Sequence, residues 1–122
     1  MKRLLPLLLV LLSSAAFADM TTINKKGSEV DIKSHLVPDK ETYVVFHHKA
    51  TYLSFQLYNS LTKYSQSHPG VPILVIESEP NSPVTRQYHV RTFPYVQIYD
   101  VRGDLKSEGP PAYKTVNAMI SQ

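Results

Sequence analysis

The chain has 122 residues, no cysteine, and a formal net charge of +3 from 13 basic and 10 acidic side chains. Without cysteine it can form no disulfide, and it cannot carry out thiol–disulfide exchange, which requires a thiolate nucleophile. Basic and acidic residues are interspersed along the chain, so nothing indicates a nucleic-acid-binding surface, and we expect no nucleic-acid partner.

The N-terminus has the organisation of a secretory signal peptide. Lys2 and Arg3 form a basic start, residues 4–12 are apolar apart from one proline, and Ala16-Phe17-Ala18 has the small-x-small pattern of a cleavage site. The apolar run is about half the roughly 20 residues that a membrane span needs. We therefore expect residues 1–18 to be removed after Ala18. Residues 19–122 should then form a single periplasmic or secreted domain without a membrane anchor.

The first half of that domain predicts a strand followed by a helix. Residues 30–36 are compatible with a short helix or turn, and the β-branched and aromatic run 42–46 predicts a buried strand. A helix should extend from about residue 51 to residue 66, with the hydroxyl of Thr51 as its N-cap. Its core-facing residues recur at helical spacing and are Leu53, Leu57, Leu61 and Tyr64.

The second half predicts three more strands and two helices. Residues 71–76 read as a buried strand parallel to the first, because a helical crossover joins them. Ser82-Pro83 should begin a short helix. Residues 95–99 and 105–108 are close enough to form an antiparallel hairpin. A terminal helix from about residue 113 to 121 completes an α/β domain with a mixed sheet of about four to five strands.

Several residues in this framework match a known pattern. The strand 42–46 is followed five residues later by a helix start, where the chain reads Thr51-Tyr52-Leu53-Ser54. The more specific matches lie in the second half, at Ser82-Pro83-Val84, Gln87-Tyr88, Val90, Phe93-Pro94-Tyr95, Tyr99-Asp100, Gly103 and Glu108-Gly109. Over about residues 27–120 the chain thus resembles the thioredoxin-like superfamily, in particular its exported bacterial members. The resemblance implies a thioredoxin-like fold with a cis peptide bond before Pro94.

The same resemblance shows what this chain lacks. Thr51 and Ser54 stand where the family has the two cysteines of its CxxC motif, and Ala50 stands where a tryptophan is common. Val45 occupies the position of a buried acid that moves protons during dithiol chemistry. Phe93 replaces a usually smaller residue before the proline, where it could either line or plug the substrate groove. Together these departures imply that redox activity is absent, with no catalytic residue and no cofactor.

What the resemblance leaves is a platform for binding. In thioredoxins the backbone before the cis-proline pairs with an extended substrate, so we expect a redox-inactive module that binds a protein or peptide partner. The expected groove lies between the helix start and the proline loop, and its residues are Thr51, Tyr52, Ser54, Phe93 and Pro94. Tyr52 and Phe93 would supply aromatic contacts of the kind enriched at interfaces.

A different class of function remains open from the sequence. Thr51 and Ser54 at a helix N-terminus could bind an anion such as glutathione, or serve a non-redox enzyme. His47 and His48 are candidates for binding a ligand or a metal, but adjacent residues at a strand end point to opposite sides. No HxxxH or HxH spacing accompanies them, and we predict no metal site.

Overall fold

The computed structural model describes residues 19–122, so the predicted signal peptide, residues 1–18, lies outside the described residues. The elements in chain order are β1 (Met20–Thr22), a 3-10 helix (Ile32–His35), β2 (Thr42–His47), α1 (Tyr52–Ser67), β3 (Ile73–Glu77), α2 (Pro83–Gln87), β4 (Tyr95–Tyr99), β5 (Leu105–Glu108) and α3 (Pro110–Ile120). No helix within this described part is long and apolar enough to cross a membrane.

The strands form one mixed sheet in the order β1-β3-β2-β4-β5. β3 pairs in parallel with both β1 and β2, whereas β4 is antiparallel to β2 and to β5. The α/β class, the parallel β2–β3 pair and the β4–β5 hairpin are therefore confirmed. β1 is not among the predicted strands, because it is only three residues long, has no apolar run and is defined by its pairing with β3.

Side chains alternate between two cores on opposite faces of the sheet. In β2, Val44 and Phe46 belong to the first core, on the face covered by the 3-10 helix and α2. Val45 belongs to the second core, on the face covered by α1 and α3. All three are fully buried. This two-sided burial is why β2 and β3 read in the sequence as continuous apolar runs.

Helix α1 differs from the prediction in its first turn. Its buried residues are Ser54, Leu57 and Leu61, whereas Leu53 is 53% exposed, so the placement of Leu53 in the core is wrong. Thr51 does occupy the N-cap position, and its carbonyl accepts a hydrogen bond from the Phe55 N–H at 2.9 Å. Its hydroxyl makes no capping bond, however, so that part of the prediction is also wrong.

The last helix begins earlier than predicted. α3 starts at Pro110 rather than near Tyr113, directly after Gly109, whose φ of 76° lets the chain turn out of β5. Two prolines fit the first turn because the N–H groups they lack would have no partner within the helix. The helix buries Ala112 and Val116 against the second core.

Two leucines of α1 provide a matched test of this packing. Leu61 is 0% exposed and Leu53 is 53% exposed, although the sequence periodicity assigned both to one face. We expect Leu61→Ala to lower the free energy of unfolding by about 2–5 kcal/mol, and Leu53→Ala to change it by less than about 0.5 kcal/mol. Urea unfolding followed by circular dichroism measures both. Equal losses would mean that α1 is rotated about its axis relative to this description.

Candidate functional site

A buried hydroxyl organises the turn between β2 and α1. Ser54 is 0% exposed, and its Oγ accepts a hydrogen bond from the backbone N–H of His48 at 3.0 Å. The same Oγ lies 2.9 Å from Nδ1 of His47. One side chain in the first turn of the helix thus holds both residues that follow the central strand.

The bonds of Ser54 determine which nitrogen of His47 carries the proton. The hydroxyl already accepts from the His48 N–H, and within residues 19–122 the only acceptor in reach of its own proton is Nδ1 of His47. A buried hydroxyl without an acceptor is costly. We therefore assign Ser54 as the donor to Nδ1, which places the proton of neutral His47 on Nε2.

The His47 ring is held on a second side by an aromatic neighbour. It stacks on Tyr58 with a centroid distance of 4.6 Å and an angle of 17° between the planes. Burial lowers the pKa of His47, an effect that the negative charge of Glu77 opposes and that His48 and Lys49 reinforce. His47 is thus a neutral, well-oriented imidazole near neutral pH.

His48 points away from His47 and connects the helix start to the proline loop. Its Nδ1 lies 2.9 Å from the Thr51 hydroxyl, and its ring contacts Phe93 with a centroid distance of 5.1 Å. The two rings thus have separate partners, although both residues border one cavity. In the described part of the chain, no group of three or more histidine and acidic side chains could hold a metal ion.

The proline loop presents backbone groups without partners. The Phe93–Pro94 bond is cis, as expected, and the half-buried Phe93 ring packs against the first core. Within residues 19–122, the backbone N–H and C=O groups of Thr92 and Phe93 make no hydrogen bond, because the β2–β4 ladder starts only at Tyr95. Backbone groups of this kind normally pair with protein or water.

Apolar side chains at the start of α1 are unusually exposed. Tyr52 is 70% exposed and Leu53 is 53% exposed, and the only side-chain hydrogen bond of Tyr52 within the described residues is accepted by its hydroxyl from Gln56. By contrast, Tyr95 packs edge-on against Phe46 and donates its hydroxyl proton to Glu108 at 2.7 Å. Phe55 is also 48% exposed. It lines a cavity with Tyr58, whereas Leu53 borders Tyr113 of α3, and we use the term lip for Tyr52 and Leu53 only.

Comparison with known proteins finds no matching family model and no matching curated protein. Solved structures do match. Spinach chloroplast thioredoxin f superposes with a TM-score of 0.60 at 13% identity, covering 91% of this chain and 91% of that chain. The thioredoxin pre-protein of Schistosoma mansoni gives a TM-score of 0.59 at 16% identity and 84% and 96% coverage. A chain from a complex of ferredoxin:thioredoxin reductase with thioredoxin f2 superposes with a TM-score of 0.64 at 13% identity, covering 85% of this chain and 94% of that chain.

The chain has a thioredoxin-like fold. Identities this low establish the fold and leave the activity open. The sequence adds that this chain has no cysteine and therefore cannot catalyse thiol–disulfide exchange.

The structure gives different roles to the residues predicted for the site. Tyr52, Phe93 and Pro94 lie at or near the surface, whereas Ser54 is internal and positions the two histidines. Thr51 is half-buried and engaged with His48. Tyr58 was not singled out from the sequence, although its spacing of four residues from Ser54 places both on one side of α1.

The lowered pKa of His47 predicts a pH-dependent stability. In the unfolded chain His47 has an ordinary pKa of 6.5, whereas in the folded protein its pKa is lower, so below about pH 6.5 the unfolded state binds more protons. Stability is therefore complete above about pH 6.5 and decreases as the pH falls towards the folded pKa. Urea unfolding at about pH 7.5 and 5.5 should show this loss. The lowered pKa values of Glu41 and Asp100 start from 4.5 and 3.8, so these groups titrate below this window.

Two variants test whether His47 causes this loss of stability at lower pH. His47→Gln should reduce the loss between the two pH values, because the titrating ring is gone. His35→Gln, at an exposed position on the 3-10 helix, should retain it. An unchanged pH dependence in His47→Gln would show that burial of this ring is not its source.

Proposed function

We propose that this protein is a redox-inactive thioredoxin-fold module of the cell envelope that binds an extended segment of a partner polypeptide. The segment lies between the exposed start of α1 and the loop before Pro94. The observation that carries the proposal is the unpaired backbone of Thr92 and Phe93, in a loop that His48 connects to the helix start by contacting both Phe93 and Thr51.

The first support is the hydrogen-bonding capacity of the loop. An extended peptide can satisfy free N–H and C=O groups at a sheet margin and so gain affinity from main-chain bonds, independent of its sequence. Thr92 and Phe93 precede β4 directly, and β4 is paired on both sides by β2 and β5. The loop is therefore the place on this strand where a new chain can pair.

The second support is the composition of the lip. Tyrosine is a frequent anchor at interfaces because it combines a large apolar ring with a polar end. Tyr52, which is 70% exposed, and Leu53, beside it, would select apolar side chains of the partner. The complex that contains thioredoxin f2 shows that a protein of this fold engages a protein partner, which supports the same use here.

The third support concerns chemistry. The Ser54 hydroxyl is fully buried and already used by His47 and His48, so it is not presented to a substrate. The Thr51 hydroxyl is engaged by His48. These interactions favour a rigid binding platform over an enzyme that uses either hydroxyl as a nucleophile.

Peptides selected on the immobilised protein from a random library test this function. Tyr52→Ala should weaken the best peptide about tenfold or more, as for an interface anchor. Leu105→Ala is the matched control, since it removes another exposed apolar side chain, 44% exposed, which pairs with Tyr99 at the end of β4 opposite to the proline loop. Binding of the peptide should protect the Thr92 and Phe93 amides from hydrogen exchange.

Phe93 requires its own comparison, because its ring also packs against the core. Phe93→Leu keeps much of the buried volume and should remain folded, while losing the aromatic contact and part of the affinity. If the amides of Thr92 and Phe93 stay unprotected, or if Tyr52→Ala and Leu105→Ala bind alike, the groove is not where the peptide binds.

The envelope location rests on the predicted signal peptide and has a separate test. When the full chain is expressed in a Gram-negative bacterium, the periplasmic protein should begin at Asp19. Leu8→Arg, which interrupts the apolar run, should leave the unprocessed chain in the cytoplasm. Intact chain with Met1 in the periplasm, or processing of Leu8→Arg, would contradict a cleaved signal. N-terminal sequencing and intact mass distinguish these outcomes.

A further inference from the structure

A second cleft lies on the His47 side of the sheet, away from the proline loop. β2 and β3 are adjacent and parallel, and their last residues, His47 and Glu77, are register partners. After β2 the chain continues into α1 on one face of the sheet, and after β3 into α2 on the other face. Such a divergence opens a crevice at the carboxyl ends of the strands, where ligands of open α/β sheets commonly bind.

The crevice is large enough for a small molecule. Its volume is about 430 Å³, within the range of small-molecule sites. One wall is aromatic and comes from Phe55 and Tyr58 of α1. The floor contains His47 and Glu77, and Lys26 and Lys49 line the cleft on the segments that follow β1 and β2.

The two polar groups of the floor are well positioned. Because Ser54 holds Nδ1 of His47, the N–H on Nε2 remains available as a donor. The backbone of Glu77 is held by Asn24 through bonds of 2.8 Å and 3.0 Å, and its carbonyl also accepts from the Gly27 N–H at 3.0 Å. The half-buried Glu77 carboxylate makes no ion pair or hydrogen bond within residues 19–122.

The charges around the cleft have both signs. Lys26, Lys49 and Glu79 line the cleft, are exposed and make no ion pair within the described residues. A ligand with only a positive charge would use Glu77 and Glu79 and face two uncompensated ammonium groups. A ligand with only a negative charge would use the lysines and His47 and face the carboxylates of Glu77 and Glu79. A molecule with both charges and an apolar body matches the whole lining.

We propose that this cleft binds a small zwitterion, namely a free α-amino acid with an apolar side chain. The ammonium group of the ligand bonds to the Glu77 carboxylate. Its carboxylate accepts from Nε2–H of His47 and is neutralised by Lys26 and Lys49. Its side chain packs on Phe55 and Tyr58. The residues that line this site do not include Tyr52, Phe93 or Pro94, although His48 borders both the cleft and the proline loop.

Calorimetry with three probes tests the proposal on the purified protein. L-Phenylalanine, 2-phenylethylamine and 3-phenylpropionate share one ring and differ in their charges. L-Phenylalanine should bind about tenfold or more tightly than either of the others, since each lacks one charged hydrogen-bonding group. Titration with L-phenylalanine should also shift the NMR resonances of the His47 imidazole.

Variants locate the binding. Glu77→Gln keeps the shape and removes the charge, and should weaken L-phenylalanine about tenfold. Glu29→Gln, at an exposed position outside the cleft, is the matched control and should not change the affinity. Tyr52→Ala should also leave L-phenylalanine binding unchanged, which separates this site from the peptide groove.

Three results would overturn the proposal. The first is the absence of both a heat of binding and a rise in melting temperature with L-phenylalanine at about 10 mM, because a ligand that binds the native state stabilises it. The second is equal affinity for 2-phenylethylamine, which would make this a site for amines. The third is equal affinity of Glu77→Gln and Glu29→Gln, which would place the amino acid elsewhere.

Discussion

The hydrogen bonds of the buried Ser54 hydroxyl support both surfaces of this protein. A single Oγ accepts from the His48 N–H and donates to Nδ1 of His47, and it does so from the first turn of α1. The hydroxyl thus ties the end of the central strand to the start of the helix. A side chain of similar size without the hydroxyl would leave a partly buried N–H and an imidazole nitrogen without this partner, and would destabilise the turn.

The two histidines then divide the site. His48 contacts Thr51 and Phe93 and so connects the helix start to the proline loop. His47 lies on the side of β3, where it stacks on Tyr58 and lines the cleft that also contains Glu77. Adjacent residues at the end of a strand point to opposite sides, so this turn borders both regions, and His48 lines the cleft as well.

Thr51 and Ser54 have a structural role at the turn between β2 and α1. Hydroxyls are good hydrogen-bond donors and acceptors, and both of these contact histidine rings. The two hydroxyls therefore orient neighbouring groups. That role is consistent with a thioredoxin-like fold used for binding, because a pre-organised surface loses less conformational freedom when a ligand binds.

The sequence by itself determined most of the fold. The buried strands, the βαβ unit and the hairpin follow from short-range patterns, since apolar runs and helical spacing act within a few residues. The cis bond before Pro94 was implied by the family resemblance. The absence of cysteine also excluded one class of reaction without any structure. Local patterns failed where the outcome depended on a distant partner: β1 exists because β3 pairs with it, and Leu53 is exposed because Ser54 takes the inward position. Only the tertiary structure brought His47 next to Glu77 and Tyr58, and His48 next to Phe93, because these contacts join residues from different elements whose separation along the chain carries no distance information.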